Sequence, residues 1–593
     1  MKGQLWLSSI ERLGKSRPVQ SAWGLLFVSL ALSCGLVRAG DRSAALHKLN
    51  IGVVQMALGQ TLGENRDRIV AGISTAAALG VRVVVFPEGA LRGEDDRDPV
   101  LVEEAVAAVR KAARDRNVYV LFGGATYSPK LKKETNWMFA TGPDGRDLLR
   151  YDKLYDQHDA PMPGVFHIDG IPCSAMICAD RWLRGVEELP ILQGAQISFE
   201  LSCNFASEWV PPFEWYWYVP RALRNTVWVI FANTGNKVSG VSDTSATAGL
   251  RHGHSAVIAP DGRIVAASPD DAETIVVAEL DISKATRADA LVRAGHPALR
   301  GFWEAGLKLH RGQAIPAAAL TPLKSIETEL TVAAAQTIDN LSSMVAMIGA
   351  ARAQGADLIV FPERAIAESA LDQLRAAARE NQITVVVGME HAMADGTRRN
   401  SAFVIGPAGT IRTRYDQLSA TDPYQPGTDP ASMWFRVKNV PAAVTIGKDA
   451  LWTELSELAA VAGAQVRVHL DHDTDENPNA ELRRVQVWSN LASFLTFTVT
   501  ANVVGSAIWD DLRDLDERRA EVRGLPRPDN GPVEVYSPFS ANLVVRAKAG
   551  PDLIVATRRV GRVNPYHPRR TSNFNPQMEA WYRLGAQLIQ PKR

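Results

Sequence analysis

A thiol, a carboxylate and an ammonium each stand beside an apolar run of this chain. Cys178 closes Pro172-Cys173-Ser174-Ala175-Met176-Ile177-Cys178, Glu88 closes Val83-Val84-Val85-Phe86-Pro87-Glu88, and Lys153 lies between aromatics in Arg150-Tyr151-Asp152-Lys153-Leu154-Tyr155. The run before Cys178 reads as a buried strand, and the residues after Asp180 as a turn into a helix. A thiol at such a junction lies beside the first amides of a helix, where N–H groups and the helix dipole favour the thiolate and can also bind an oxyanion. Singly, each residue has a plainer reading: a buried small hydrophobe, a strand-end carboxylate, a surface cation. Three strand ends meeting at one edge of a sheet would instead make a site for covalent catalysis by cysteine.

The segments between them supply such a sheet. Residues 49–55 read as a first strand, 65–79 as an amphipathic helix, 99–114 as a second helix and 118–123 as another strand. Gly142-Pro143-Asp144-Gly145 is turn chemistry between strands at 137–141 and 148–151. Strands alternating with helices, with hairpins added, define a layered α/β domain.

The order glutamate, lysine, cysteine, with Phe86-Pro87 before the first, Tyr151-Asp152-Lys153-Leu154 around the second and Cys178-Ala179-Asp180 at the third, resembles the nitrilase or carbon-nitrogen hydrolase superfamily. Residues 221–233, from Arg221 to Asn233, and the hairpin 252–262, from His252 to Gly262, resemble further family segments. The resemblance implies an αββα sandwich in which Glu88 is the general base and Lys153 stabilises the thiolate and the oxyanion, helped by the backbone N–H of Ala179. It implies attack on an amide or nitrile carbon, loss of ammonia or an amine, and hydrolysis of the resulting cysteine thioester or thioimidate. Many members add a second glutamate between lysine and cysteine. None stands between 153 and 178, and Asp159 is the nearest substitute, with His158 as the alternative. The pair Asp180 and Arg181 reads as turn-fixing. The aromatic stretch 209–218 reads equally as an acyl pocket or as packing. Cys-x-Asp is similar to amidase-like branches more than to the Cys-Trp-Glu of nitrilases. Acyl transfer within the superfamily is a further alternative, and from another class a non-enzymatic binding protein on a degenerate scaffold.

The second half repeats the first. Phe361-Pro362-Glu363 matches Phe86-Pro87-Glu88, Arg414-Tyr415-Asp416-Gln417-Leu418 matches the lysine segment, and Thr445-Ile446-Gly447-Lys448-Asp449 matches the cysteine segment. Glutamine for lysine and glycine for cysteine remove the charge and the nucleophile, so a catalytically dead repeat is expected. Two tandem nitrilase-like αββα sandwich domains follow: a catalytic domain at 48–310, a small-residue and proline linker at 311–328, and a degenerate domain with a C-terminal tail at 329–593. The pair looks like a family dimer fused into one chain, an internal pseudo-dimer to which a higher oligomer remains open. Its tail, from Asn564 to Tyr582, resembles the segment with which family members cross to a neighbouring subunit, and here is expected to clasp the other half.

At 593 residues the chain exceeds one core, and its formal net charge of +0 gives no sign of a polyanionic partner. The sequence shows no zinc-spaced cluster, no phosphate-cradling glycine loop and no cofactor requirement, and no nucleic-acid partner is expected; a small amide or nitrile is. Residues 1–39 combine a basic segment, an apolar run at 22–37 and small residues before Gly40. They read as a signal peptide for export, periplasmic or secreted, with an uncleaved membrane anchor as the alternative. Cys34 is an apolar-run residue before it is a lipidation site. Cys173, Cys178 and Cys203 remain after cleavage, an odd count that leaves at least one free thiol.

Overall fold

The computed structural model describes residues 48–128, 132–155, 161–204, 209, 214–215, 217–235, 251–474, 484, 487–488, 496–510, 543–561 and 576–591. The N-terminal segment 1–39, Asp159, His158 and residues 564–575 of the tail lie outside them. Among the described residues no helix is long and apolar enough to cross a membrane.

The first half opens with β1 (Lys48–Gln55), α1 (Leu62–Ala78), β2 (Val83–Val85), α2 (Pro99–Arg116), β3 (Tyr119–Ser128), β4 (Lys133–Thr141) and β5 (Asp147–Asp152). Thr61 and Glu64 start α1 with a reciprocal capping box, while Asp98 caps α2 ahead of a proline at its first turn. The chain continues through β6 (Phe166–Ile168), β7 (Ile171–Ile177), α3 (Arg184–Leu192), β8 (Ile197–Ser202), α4 (Val219–Asn225), β9 (Trp228–Asn233), β10 (Ala256–Ile258), β11 (Ile264–Ala267), β12 (Thr274–Asp281), α5 (Ala288–Gly295) and α6 (Arg300–His310). These strands form two six-stranded sheets, β12-β1-β2-β3-β4-β5 and β11-β10-β9-β8-β7-β6. Within each, the central strands run parallel: β1 with β2 and β2 with β3 in one, β7 with β8 and β8 with β9 in the other. Parallel central strands are covered on both faces, which is why 83–86 and 171–177 are unbroken apolar runs instead of alternating ones. Ile51, Val83 and Val85 face Ala175, Ile177 and Phe199 in the shared core, and Ile69, Ile73, Val106 and Val109 of α1 and α2 cover the outer face of the first sheet.

The second half repeats this order with β13 (Thr328–Gln336), α7 (Leu341–Ala353), β14 (Leu358–Val360), α8 (Leu371–Asn381), β15 (Thr384–Ala392), β16 (Arg398–Ile405) and β17 (Ile411–Asp416). It goes on through β18 (Trp434–Val437), β19 (Val440–Ile446), α9 (Thr453–Ala462), β20 (Val466–Leu470), β21 (Phe497–Ala501), β22 (Ala507–Trp509), β23 (Leu543–Arg546), β24 (Asp552–Val560) and α10 (Pro576–Ile589). Its sheets are β17-β16-β15-β14-β13-β24 and β18-β19-β20-β21-β22-β23. The molecule is thus two tandem αββα sandwiches.

The halves meet through α3 and α9, which are equivalent in the repeat. Both are short helices with almost every residue buried, as expected of elements enclosed on all sides. Arg184 Nη2 donates to Thr453 Oγ1 at 3.0 Å, so the first residue of α3 touches the residue that repeats it. α10 lies on both halves. Trp581 stacks on Phe302 of α6 at 4.5 Å and donates to its carbonyl at 2.6 Å, Tyr582 OH accepts from the Arg184 amide at 3.0 Å, and a Cβ at Gly585 would meet Phe302 and Leu458.

Candidate active site

Three strand ends deliver the chemistry. Glu88 follows β2, Lys153 follows β5 and Cys178 follows β7, and the sandwich brings their side chains to one place. Lys153 Nζ lies 2.7 Å from Glu88 Oε1, with both side chains about nine-tenths buried. The Cys178 thiol is within hydrogen-bonding reach of the same carboxylate. Gly123 makes the approach feasible: a Cβ there would stand 3.0–3.3 Å from the Pro87–Gly89 backbone, so β3 can lie against the loop that carries Glu88.

Asn136, in the middle of β4, donates to Glu88 Oε1 at 2.5 Å. Burial alone would raise the Glu88 pKa. The Lys153 ammonium, the thiol and Asn136 outweigh it and hold the carboxyl below its ordinary value. Glu88 is therefore an ionised carboxylate at neutral pH. Burial pushes the Cys173 and Cys203 thiols up, and no disulfide links Cys173, Cys178 and Cys203. Cys178 is the one of the three that meets the carboxylate.

The turn at Cys178 leads into a helix as expected, but a 3-10 turn separates the thiol from that helix's first amides. Cys178–Trp182 is a single 3-10 turn, and α3 begins only at Arg184. The first amides of α3 are engaged elsewhere, Arg184 N with Tyr582 OH and Val186 N with Leu183 O. Charge at the sulfur accordingly comes from side chains instead of a helix dipole. Asp180 does fix the turn: it accepts from the Tyr155 amide at 2.7 Å and from Tyr151 OH. Arg181 shares that task and also reaches the sulfur. Its Nη2 lies 3.4 Å from Cys178 Sγ and 2.8 Å from Asn204 Oδ1, and its Nε donates to the Cys178 carbonyl at 2.9 Å. Asn204 Oδ1 is 3.5 Å from Sγ, and its Nδ2 donates to Tyr218 OH at 2.7 Å.

Of the aromatic stretch, Tyr218 stacks on Phe231 at 3.9 Å, Trp217 meets Trp182 edge-on at 4.4 Å and Trp209 lies on His254 at 3.7 Å. Tyr218 thus belongs to the site and the tryptophans to its surroundings. Asn136 and Asn204 escaped sequence reasoning, and Arg181 was read there only as fixing the turn. Asn136 carried one signal, its recurrence as Asn400 at the same register of the repeat. Among the described residues no group of His, Cys, Asp and Glu is placed to hold a metal ion.

The equivalent place in the second half is filled in. Asn400 Nδ2 donates at 2.8 Å to both Glu363 Oε1 and Gln417 Oε1. A Cβ on Gly447 would fall 2.7 Å from Gln417 Nε2 and 2.9 Å from Glu363 Oε2. Burial, with the Asp471 charge, pushes Glu363 up to about 7. Both turns keep a left-handed residue, Cys178 at φ 45° and Gly447 at φ 56°. That conformation costs a residue with a Cβ roughly 1–2 kcal/mol. Cys178→Gly is therefore expected to be more stable than Cys178→Ala by about 1 kcal/mol in urea unfolding, both being inactive. Equal stabilities would place no strain at the nucleophile.

A sequence profile described as carbon-nitrogen hydrolase matches residues 50–290 and 325–466. The chain belongs to the carbon-nitrogen hydrolase family. Omega-amidase NIT2 of Xenopus tropicalis is 23% identical over 262 residues, 40% of this chain and 89% of the relative. Nit3 of Saccharomyces cerevisiae, described as a member of branch 10 of the nitrilase superfamily, is 20% identical, with 40% of this chain and 92% of that one covered and a TM-score of 0.35. An amidase from Nesterenkonia sp. is 19% identical, with 40% and 90% covered and a TM-score of 0.33.

Proposed function

We propose that the first half hydrolyses a small amide through a Cys178 thioester, and that the second half is catalytically dead. The observation that carries this reading is the single carboxylate oxygen of Glu88 that receives Lys153 at 2.7 Å and Asn136 at 2.5 Å while its carboxylate meets the Cys178 thiol. In acylation the S–H proton passes to Glu88 as sulfur bonds to the amide carbon. The oxyanion is held by the Lys153 ammonium and the Ala179 N–H. Glu88 then gives its proton to the leaving nitrogen, and the C–N bond breaks. In deacylation Glu88 takes a proton from water, hydroxide adds to the thioester, and the carboxylic acid leaves as the thiolate reclaims the proton. Cys178-Ala179-Asp180, and a curated relative named for an omega-amidase activity, favour an amide over a nitrile. Residues 1–39 support export of the mature enzyme.

The test is ammonia release from matched panels of amides and nitriles by the full chain and by Cys178→Ala. Release from an amide, abolished in the variant, is the expected result. Release that persists without Cys178 would overturn the mechanism, and release from nitriles alone would move the protein to the nitrilase branch. No release, together with an unreactive Cys178, would favour a binding protein.

A further inference from the structure

The Arg181 guanidinium touches the reacting sulfur, and buried groups hold it there. Nη2 is 3.4 Å from Sγ and Nε donates to the nucleophile's own carbonyl at 2.9 Å, so one planar fork grips both the peptide and the side chain of Cys178. Nη2 also lies 2.8 Å from Glu200 Oε1 and donates to Ser202 Oγ at 3.1 Å, while Nη1 donates to Tyr218 OH at 3.2 Å. The Arg181 side chain is 4% exposed and that of Glu200 0%. A charge so enclosed is screened far less than a surface charge.

The second half provides an internal comparison. Met176 faces Glu200 across β7 and β8, and Thr445 faces His469 across β19 and β20, so Glu200 is repeated as His469 and Arg181 as Ala450. Groups that build the turn persist. Asp449, like Asp180, accepts from a tyrosine hydroxyl, Tyr415 OH at 2.8 Å, and from a backbone amide, Ser419 N at 2.9 Å. Of the groups around the sulfur, Glu88 persists as Glu363, whereas Lys153, Cys178, Arg181 and its anchor Glu200 are replaced by Gln417, Gly447, Ala450 and His469. A residue needed only for the turn would have stayed with the turn.

We propose that Arg181 is a fourth catalytic group, which stabilises the Cys178 thiolate as it forms and as it leaves; this rests on the thioester reading above. When the S–H proton passes to Glu88, and again when the carbon–sulfur bond of the tetrahedral adduct breaks and its electron pair returns to sulfur, negative charge lies 3.4 Å from Nη2. Arg181 keeps all its protons throughout. Among the described residues, the charged groups around the sulfur include Glu88 from the loop after β2, with Lys153 after β5 on it, and Arg181 itself, with Glu200 of β8 behind it. His252, also near Arg181, is neutral at working pH: burial, then the charges of His254 and Arg181, push it down to about 3.

The experiment alkylates Cys178 in the full chain with iodoacetamide across a pH series, read by peptide mass mapping, so that it needs no substrate. Arg181→Gln is expected to label about tenfold more slowly near pH 6 and to move the labelling midpoint up by about one pH unit, and Arg181→Lys to recover most of the rate. A role in holding the turn would alter stability without moving the midpoint. Should Arg181→Gln fail to fold, Arg181→Met combined with Glu200→Gln removes both charges of the pair and carries the same comparison. Iodoacetate is run alongside. An unchanged midpoint with both reagents overturns the proposal, and so does a loss confined to iodoacetate, which would assign Arg181 to anion binding. If Lys153→Gln slows labelling and Arg181→Gln does not, the triad stands and Arg181 falls; if neither does, the thioester reading falls with it.

Discussion

Lys153→Gln is expected to lower kcat/KM on the amide substrate by about 10³-fold and to shift the acid limb of its pH profile up by about two units. The protein already contains the result of that replacement. Glu88 and Glu363 each end a Phe-Pro-Glu run, are buried, and accept from an asparagine at the same register. With lysine opposite, Glu88 sits below its ordinary pKa; with Gln417 opposite, burial and the charge of Asp471, which stands where the first half has Ser202, raise Glu363 to about 7. A neutral amide partner in the first half would likewise leave burial less opposed and raise the Glu88 pKa, so that less of it is ionised to take the thiol proton. Residual activity should therefore rise with pH as Glu88 ionises, which a pH series of kcat/KM reads directly. A rate loss with an unmoved acid limb would mean that Lys153 serves the oxyanion alone and that Asn136 suffices to keep Glu88 ionised.

The residues at strand ends were legible in the sequence for a physical reason. An apolar run long enough to be a central strand must stop where its backbone leaves the sheet, and Glu88 and Cys178 each mark such a stop, while Lys153 was legible through the tyrosines that flank it. The repeat was legible because the turn residues and carboxylates recur at matching registers. What escaped were groups whose position depends on neighbouring strands. Asn136 points at Glu88 only because β4 pairs antiparallel with β3 in one register, and Asn204 reaches the thiol only because β8 lies beside β7. Arg181 escaped because Asp-Arg beside a turn is an ordinary local pair; the geometry separates them, Asp180 toward Tyr151 and Arg181 toward sulfur. The turn into α3 was legible after Asp180, but not that a 3-10 turn would separate the thiol from the first amides of that helix, because apolar spacing cannot distinguish the two over five residues.

Glu457→Gln is expected to destabilise the full chain by about 3 kcal/mol in urea unfolding, because the second half neutralises charge that the first half buries. From Arg181 an unbroken series of buried ion pairs runs through Glu200, Arg221, Glu187, Arg224 and Glu188 to Arg184 and Arg293. Among the described residues its five guanidiniums meet three carboxylates from their own half, and Glu454 and Glu457 of α9 supply two more. Arg184 donates from Nε to Glu457 Oε2 at 2.9 Å, and Nη2 lies at 2.9 Å from the same oxygen. Burial opposes the Arg184 charge, and Glu188, Glu457 and Glu454 together hold its pKa well above the ordinary value. Removing one partner of such a pair leaves a buried charge uncompensated, whereas removing both need not. Arg184→Met combined with Glu457→Met should accordingly lose much less than Glu457→Gln alone. The second half then has an electrostatic role: its α9 closes the ion series that reaches the Cys178 sulfur through Arg181. Should Glu457→Gln cost only a few tenths of a kcal/mol, Glu188 and Glu454 would be sufficient for Arg184, and the two halves would be joined by the apolar clasp of α10 on α6 and α9 instead.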